Sequence, residues 1–406
     1  MKILGITAEY NPFHTGHEEQ IQIARREAGA DCVIAVMSAS FVQRGEPAVY
    51  DKYVRTKLAL LGGADIVFEL PAPFSAAAAG DFAAAGVSLL ESLGTDILCF
   101  GSECGSLEDL SAPAKVLSEE PPAFRSHLQA LLKEGKPFPE ARAEALSSIL
   151  SREDISALLK APNNILGLEY LLAMKKINSR MAAFTHRRKG ADYHQGVLPE
   201  ETSFASATAL RSCLLAGEPE KALPFLPKEA EQVLHGERPL CADDFSLLLD
   251  YALLRGLPPT DEIEGFDQSL SDRLRGMEPE AMSFSERVLR LKSKNYTETR
   301  IRRALLHLLL GIRKEDVALW KENLPGYGRI LGFRKEAAPF LKEIKKRAAV
   351  PLIAKTADAK SLLSPAAYSL FEKEVEAAHI YQTVRAGKGL PFRNEYRQGP
   401  VILSRP

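Results

Sequence analysis

Cysteine is scarce and unpatterned: Cys32, Cys99, Cys104, Cys213 and Cys241 are the only five in 406 residues, and none has CxxC spacing. An odd, scattered set argues against a disulfide framework or a zinc knuckle and fits reduced apolar fillers in a cytoplasmic protein. An excess of either charge is also missing, with 52 Lys and Arg against 53 Asp and Glu and a formal net charge of -1. No whole-protein field would draw in nucleic acid, so any such binding has to come from a local patch. No segment approaches the roughly 18 uncharged apolar residues of a membrane span, which argues against a membrane partner. The N-terminus enters a strand-like run at once, without the charged, apolar and small-residue order of a leader. Neither the glycine spacing of a dinucleotide fold nor that of a P-loop occurs.

What is present is alternation. "GADCVIAVMS" (29–38), "GADIVFEL" (63–70) and "GTDILCFG" (94–101) repeat one pattern: a glycine able to end a helix, a small residue, an aspartate, then a short apolar run. Helical stretches at 18–28, 52–61 and 76–93 lie between them. With "KILGITAEY" as the first strand and "MAAFTHRR" (181–188) as a fifth, short apolar strands alternating with helices predict an α/β fold with a parallel sheet covered on both faces. The sheet signal stops near Arg211 and gives way to the proline-punctuated "LLAGEPEKALPFLPKEA". Beyond it, helical periodicity dominates at 244–255, 283–292, 297–311, 336–348 and 363–385. We therefore expect a Rossmann-like domain at 1–215 and a mainly helical domain at 216–406.

The chemistry concentrates in "EYNPFHTGHEEQI" (9–21). A strand ending near Ala8, a loop with Asn11 and Pro12, and a helix starting near Gly16 place His14 and His17 at the carboxyl edge of the sheet, where open α/β sheets bind ligands. Unpaired amides of a first helical turn attract phosphate. Both histidines can then donate to phosphate oxygens as charge develops. A metal site would need further ligands, with Glu9 the nearest, and the pair stands in a loop rather than on a metalloprotease helix, so no metal ligand is assigned. Two histidines without function are the remaining reading.

"HTGH" after a first strand resembles the HxGH signature of the nucleotidyltransferase superfamily, whose members attack the α-phosphate of ATP and release pyrophosphate. "TSFASATALR" (202–211) resembles its second motif, with Ser203, Ser206, Thr208 and Arg211 in the matching places. Hydroxyls capping a helix and an arginine one turn in make a cradle for β- and γ-phosphates. The likeness extends to the bacterial tRNA(Met) cytidine acetate ligase family through "EYNPFHTGH", "VIAVMSASFVQRGEPAVYDKYVRTKLAL", "GADIVFELP", "PNNILGLEYL" and "YTETRIRRALLHLLLG".

That resemblance implies that ATP and acetate give acetyl-adenylate and pyrophosphate, and that the acetyl group passes to N4 of the wobble cytidine of elongator tRNA(Met). It implies an ATP segment of Thr7, Ala8, Glu9, Tyr10, Asn11, Pro12, Phe13, His14, Thr15, Gly16, His17, Glu18, Glu19 and Gln20, with further contacts from Gly101, Asn163, Arg187 and Arg188. Read unaided, Gly101 is equally a turn glycine, Asn163 an adenine reader or a helix cap, and Arg187 and Arg188 an anion clamp or a solvated run. Gln43 and Arg44, in the loop leaving the second strand, can hold acetate or cytidine, and Arg44 is expected to share catalysis with the histidines. The alternative is a loop that merely packs. Magnesium is expected to bridge phosphate oxygens without a dedicated protein cage. Cys104 is the only cysteine beside a candidate strand end, and no acyl-accepting nucleophile is expected.

Residues 287–303 hold seven Lys or Arg and one acid, Glu298. Lys292, Lys294, Arg300, Arg302 and Arg303 are the expected RNA contacts, with Tyr296 and Tyr327 as possible stacking partners for a base and "GRILGFRKEAAPFLKEIKKR" repeating the basic bias. A solvated helix pair has the same composition. Two other functions fit the motifs: a nucleotidyltransferase acting on a small metabolite, and a nucleotide-sensing RNA-binding protein without catalysis.

Overall fold

The computed structural model describes residues 1–188, 198, 204–256, 259–277 and 280–404. Ten strands are found among them: β1 (Ile3–Ala8), β2 (Cys32–Ser38), β3 (Phe41–Val42), β4 (Glu46–Pro47), β5 (Ile66–Leu70), β6 (Ile97–Ser102), β7 (Ala182–Arg187), β8 (Gly328–Arg334), β9 (Leu352–Ile353) and β10 (Val401–Leu403). Eight of them form one sheet in the order β10-β8-β5-β2-β1-β6-β7, with β9 beside β8, and β3 pairs with β4 as a separate hairpin. The five expected strands run parallel as one contiguous block, β5-β2-β1-β6-β7, with β7 at the edge. Helices α1 (Thr15–Glu27) and α2 (Lys52–Leu61) cover one face. The helices Ala79–Ser92 and Pro162–Lys176 cover the other.

The repeated aspartates have a shared task at the amino edge. Asp31 and Asp96 accept the Lys2 and Ile3 amides at the start of β1, and Asp65 accepts the Val33 amide near the start of β2, at 2.7 Å in all three cases. A short buried strand cannot leave its leading amide unpaired, so the aspartate recurs where a helix hands over to a strand.

The second half is mainly helical, with a small core of its own around Leu249, Ile263, Leu270, Val288, Ile301 and Leu305. It also returns strands to the sheet, which the helical reading did not anticipate. β8 pairs antiparallel with β5, and β10 runs parallel to β8, so the sheet is mixed rather than purely parallel. "GRILGFR" reads as a charged stretch because both its arginines are paired inside the protein. Arg334 pairs with Asp65, and Arg329 with Glu69 and Glu395 at 3.1 and 2.7 Å. Arg347, further along the same basic stretch, pairs with Asp96 at the amino edge, away from the strands' carboxyl ends.

Arg329 belongs to a buried group that joins the two halves. Lys52 Nζ on α2 lies 2.5 Å from Glu69 of β5, 3.1 Å from Glu374 of the helix Pro365–Gly387 and 3.0 Å from Glu395. Glu374 also accepts the Ala72 amide at 2.6 Å. Two cations thus face three carboxylates. Burial and neighbouring Glu69 push Glu374 up to about 8. Burial also acts against Glu395, but Lys52 and Arg329 outweigh it and hold that carboxyl near about 2.

Removing the cation should be costly: Lys52→Met is expected to lose ~3–5 kcal/mol in denaturant unfolding, because it strands buried carboxylates. Glu374→Gln, which imitates the protonated form, should cost only about 1 kcal/mol at pH 7. Between pH 4.5 and about 8 the folded protein holds a Glu374 proton that the unfolded chain has released. That contribution is lost as pH rises, and Glu374→Gln should flatten this part of the stability profile. Equal losses in both variants would show that Glu374 is ionised.

Candidate active site

The loop after β1 is fixed before it reaches the histidines. Tyr10 sits at φ +47, a conformation few side chains adopt, and its ring is buried against Phe13 and His17. Asn11 Oδ1 accepts the Val49 amide at 2.7 Å, and the Asn11 carbonyl accepts from Arg211 at 2.8 Å.

The HxGH spacing is that of a helix cap built from imidazoles. His14 is the N-cap of α1, and its Nδ1 accepts the Gly16 amide at 3.1 Å. His17 stands at N3, and its Nδ1 accepts the His14 amide at 3.2 Å. This reciprocal pattern needs a separation of three residues. The two rings lie 3.8 Å apart between centroids and 30° from parallel. A Cβ on Gly16 would come within 3.0 Å of His14 Cε1, so the glycine leaves room for the ring.

Proton accounting follows from these contacts. With both Nδ1 atoms accepting, each neutral imidazole carries its hydrogen on Nε2. His14 Nε2 is buried and has no hydrogen-bond partner among the described residues. Burial lowers the His14 pKa to about 3, with Arg188 and Arg211 adding to the effect. Burial, then His14 and Arg188, hold His17 well below its ordinary value. Both rings are therefore neutral at pH 7, with Nε2–H groups available to an anion.

The second motif closes around this cap. Ser206 is the N-cap of the helix Ala207–Leu215 and accepts the Ala209 amide at 3.0 Å. Thr208 Oγ1 accepts from Arg211 at 3.2 Å, and Arg211 reaches back to the Asn11 carbonyl. Phe204 passes 3.9 Å from the point where a Gly16 side chain would begin. Ser203 lies outside the described residues.

On the far side, Gly101 is next to last in β6, with the Arg188 and His186 side chains directly over it. Asn163 does not cap its own helix. Its Nδ2 donates to Glu103 at 2.7 Å and its Oδ1 accepts from Arg188 at 3.4 Å, while Glu103 takes the Asn163 and Asn164 amides. Arg187 is exposed at the end of β7. Glu103 and Asn164 went unread in the sequence, although the "NN" doublet facing "GSEC" holds this corner together.

The first segment divides. Thr7 and Ala8 end β1, Glu9 follows it directly, and Thr15 and Gly16 open α1. Pro12 and Phe13 are buried, with Phe13 packed against Gly62. Gln20 turns to the Cys99 thiol, and Glu18 is influenced by Glu229 and Lys228, away from the histidine rings; Glu19 lies beside it on α1. Arg44 occupies the β3–β4 turn, where its charge acts on Glu9. Cys104 is held against Ser102 Oγ and the Ser106 carbonyl. Among the described residues no group of three or more His, Cys, Asp or Glu has metal-binding geometry.

The five expected RNA contacts among the basic residues of 287–303 separate into two groups. Lys294 is exposed, and Lys292, also exposed, pairs with Glu298 at 2.5 Å. Arg300 pairs with Asp267 at 2.6 Å and stacks over Tyr296. Arg302 pairs with Glu46 at 3.2 Å, and Arg303 donates to the Gln43 carbonyl at 3.3 Å, so these two are docked on the β3–β4 hairpin. Tyr296 and Tyr327 are both buried, which removes them as stacking platforms.

His14→Asn should keep a side-chain cap acceptor and change the melting temperature by only a few degrees. The unfolded chain takes up a His14 proton below pH 6.5 that the folded chain refuses down to about 3. Stability therefore falls as pH drops, by up to about 1.4 kcal/mol per pH unit for this group. The variant should show a shallower loss between pH 7 and 5 and weaker ATP binding by calorimetry. An unchanged acid slope would refute the neutral-donor assignment.

Residues 1–393 match the family described as HIGH Nucleotidyl Transferase. A tRNA(Met) cytidine acetate ligase of Thermoanaerobacter sp. (strain X514) is 39% identical over 388 residues, covering 94% of this chain and 95% of that protein. One from Clostridium perfringens (strain ATCC 13124) is 36% identical over 411 residues, covering 99% and 100%. The crystal structure of Thermotoga maritima TmcAL in its apo form superposes with a TM-score of 0.92 at 31% identity, covering 100% of both chains. The form of that protein bound to alpha-thio ATP gives 0.90, with the same identity and coverage. On these grounds the chain belongs to the tRNA(Met) cytidine acetate ligase family of HIGH nucleotidyl transferases.

Proposed function

We propose that the chain ligates acetate, through acetyl-adenylate, to N4 of the wobble cytidine of elongator tRNA(Met), releasing AMP and pyrophosphate. The observation that carries this is the pair of neutral imidazoles whose Nε2–H groups are left for an anion, beside Arg188 and Arg211 and at the N-terminus of α1. An acetate oxygen attacks the α-phosphorus in line. His14 and His17 donate to the α-phosphate as its charge grows, and Arg211 with the Ser206-capped helix receives the departing pyrophosphate. Magnesium would enter with the triphosphate and offset its charge, since among the described residues no cluster of His, Cys, Asp or Glu would hold it by itself. The mixed anhydride then meets a cytosine amine whose lone pair is delocalised into the ring, so activation and proximity are what the protein contributes. A tRNA substrate implies a cytoplasmic location.

The helical unit around Leu249 and Ile301 is assigned to the tRNA backbone, because its helix Glu298–Leu310 stands on the hairpin that leaves β2 at the carboxyl edge. Lys292 and Lys294 are its outward cations, whereas Arg302 and Arg303 serve the hairpin. Changing both lysines to Gln should weaken tRNA binding and reduce its salt dependence by up to two phosphate equivalents, a log–log slope change of about 1.8. ATP–pyrophosphate exchange should be preserved. The Arg302→Ala, Arg303→Ala pair should depress exchange as well. If the lysine variant lost exchange without losing tRNA affinity, this division would fail.

Incubation with labelled ATP, acetate and tRNA should give AMP and pyrophosphate, with N4-acetylcytidine found by mass spectrometry of the digested tRNA. His14→Asn and His17→Asn should each lower turnover by ~10²-fold or more. Product formed only from acetyl-CoA would overturn the ligase reading. Pyrophosphate release with a small metabolite, and none with acetate, would favour a small-molecule nucleotidyltransferase.

A further inference from the structure

The β3–β4 hairpin brings a carboxylate and an unpartnered amide side chain together at the edge beside β1. Glu9 is the first residue after β1, and its carboxylate accepts the Gln43 amide at 3.0 Å; it makes no ion pair among the described residues. The Gln43 side-chain Nε2 is buried and has no partner among the described residues. The hairpin holding them is clamped. Gly45 sits at φ +73, and a Cβ there would fall 2.4 Å from the Arg303 nitrogen and 2.6 Å from the Arg302 carbonyl carbon. The Gln43 carbonyl is held by Arg303, and Glu46 by Arg302. A carboxylate that accepts a backbone amide but forms no ion pair among the described residues therefore meets, at one hairpin, a glutamine whose side-chain donor has no acceptor among them, on the loop that leads to His14.

Resting on the function proposed above, we propose that Glu9 and Gln43 form the cytosine-reading edge of this site, with Glu9 accepting the N4 proton during acetyl transfer. Cytosine presents an amino donor at N4 next to an acceptor at N3. A carboxylate is the natural partner of the first and an amide N–H of the second. Uracil reverses both groups and would leave two buried polar contacts unmade. In the transfer, the N4 lone pair forms the bond to the acetyl carbon. The carbon–oxygen bond to the adenylate breaks, AMP leaves with that electron pair, and the N4 proton passes to Glu9. Burial raises the Glu9 pKa against the pull of Arg211 and Arg44, which suits a carboxylate that must take a proton from a weak donor. Glu46 on the hairpin, Tyr170 on the helix Pro162–Lys176, and Arg55 of α2 are the other charged or titratable groups acting with it.

The test separates the two half-reactions in Glu9→Gln, Glu9→Asp and Gln43→Leu. Acetate-dependent ATP–pyrophosphate exchange reports the first, and single-turnover acetyl transfer to a tRNA(Met) transcript reports the second. Glu9→Gln should lower transfer ~10²-fold more than exchange and abolish the fall of transfer at acid pH. Glu9→Asp should keep the acid limb at a reduced rate. Gln43→Leu should lower the preference for a C34 over a U34 transcript by ~10-fold in competition. Equal losses in both half-reactions for Glu9→Gln would place Glu9 with ATP alone and overturn the proposal, as would an unchanged C34/U34 ratio in Gln43→Leu. If the unaltered protein performs neither half-reaction, the ligase reading fails first and this assignment with it.

Discussion

One buried guanidinium sets the geometry on which the site depends. Arg55 of α2 donates to the carbonyls of Tyr50 at 2.9 Å, Glu9 at 2.7 Å and Ser38 at 3.0 Å, and also to that of Ala39. These carbonyls belong to the exits of β1 and β2 and to the approach to α2. Chains leaving a parallel sheet have no strand partner for their last carbonyls, and each left buried and unpaired would cost about 1–3 kcal/mol. Burial lowers the Arg55 pKa to about 10, so the group stays charged at neutral pH. Because the Glu9 carbonyl is pinned here, the loop that follows, with Tyr10, Asn11 and the histidine cap, starts from a defined point.

The parts legible in the sequence were those where local chemistry and global position say the same thing. The Gly–small–Asp phrases marked the strands because an aspartate is needed where each begins. The HxGH motif marked a helix start at the sheet's carboxyl edge, but that His14 is itself the N-cap and His17 its N3 partner was not read from it. Ser206, Thr208 and Arg211 could be placed because a cap hydroxyl and an arginine one turn later share one helix face.

Charge was the poorer guide. A basic residue has the same letter whether it meets a phosphate or a buried carboxylate. Lys52, Arg55 and Arg329 are all fully buried, and nothing in "DKYVRTKLAL" or "GRILGFR" announces the acids and carbonyls waiting for them. Those acids are hundreds of positions away in two cases, at Glu374 and Glu395, so the pairing is a property of the fold rather than of any window. The same reasoning explains the divided fate of 287–303. Arg302 and Arg303 face the hairpin from the helix Glu298–Leu310, whereas the exposed Lys292 and Lys294 stand in the segment before that helix, and only the hairpin's position separates the two groups.

The site's electrostatics have a direction that follows from its being unusually poor in protonated histidine. Arg188 and Arg211 help suppress the charge on His14, so without ligand the cap region carries guanidinium charge and neutral imidazole donors. A triphosphate arriving there would offset those same cations and supply a negative field of its own. Both changes push the imidazole pKa upward, from far below neutrality towards its ordinary value. The bond from a neutral Nε2–H to a phosphate oxygen strengthens as that oxygen gains negative charge. The donors would therefore be weakest with the site unliganded and strongest when the α-phosphate is most negative, which is the differential that lowers a barrier rather than merely tightening binding. Permanently charged imidazolium groups would grip ATP and AMP alike; neutral rings buried beside arginines respond to the reaction.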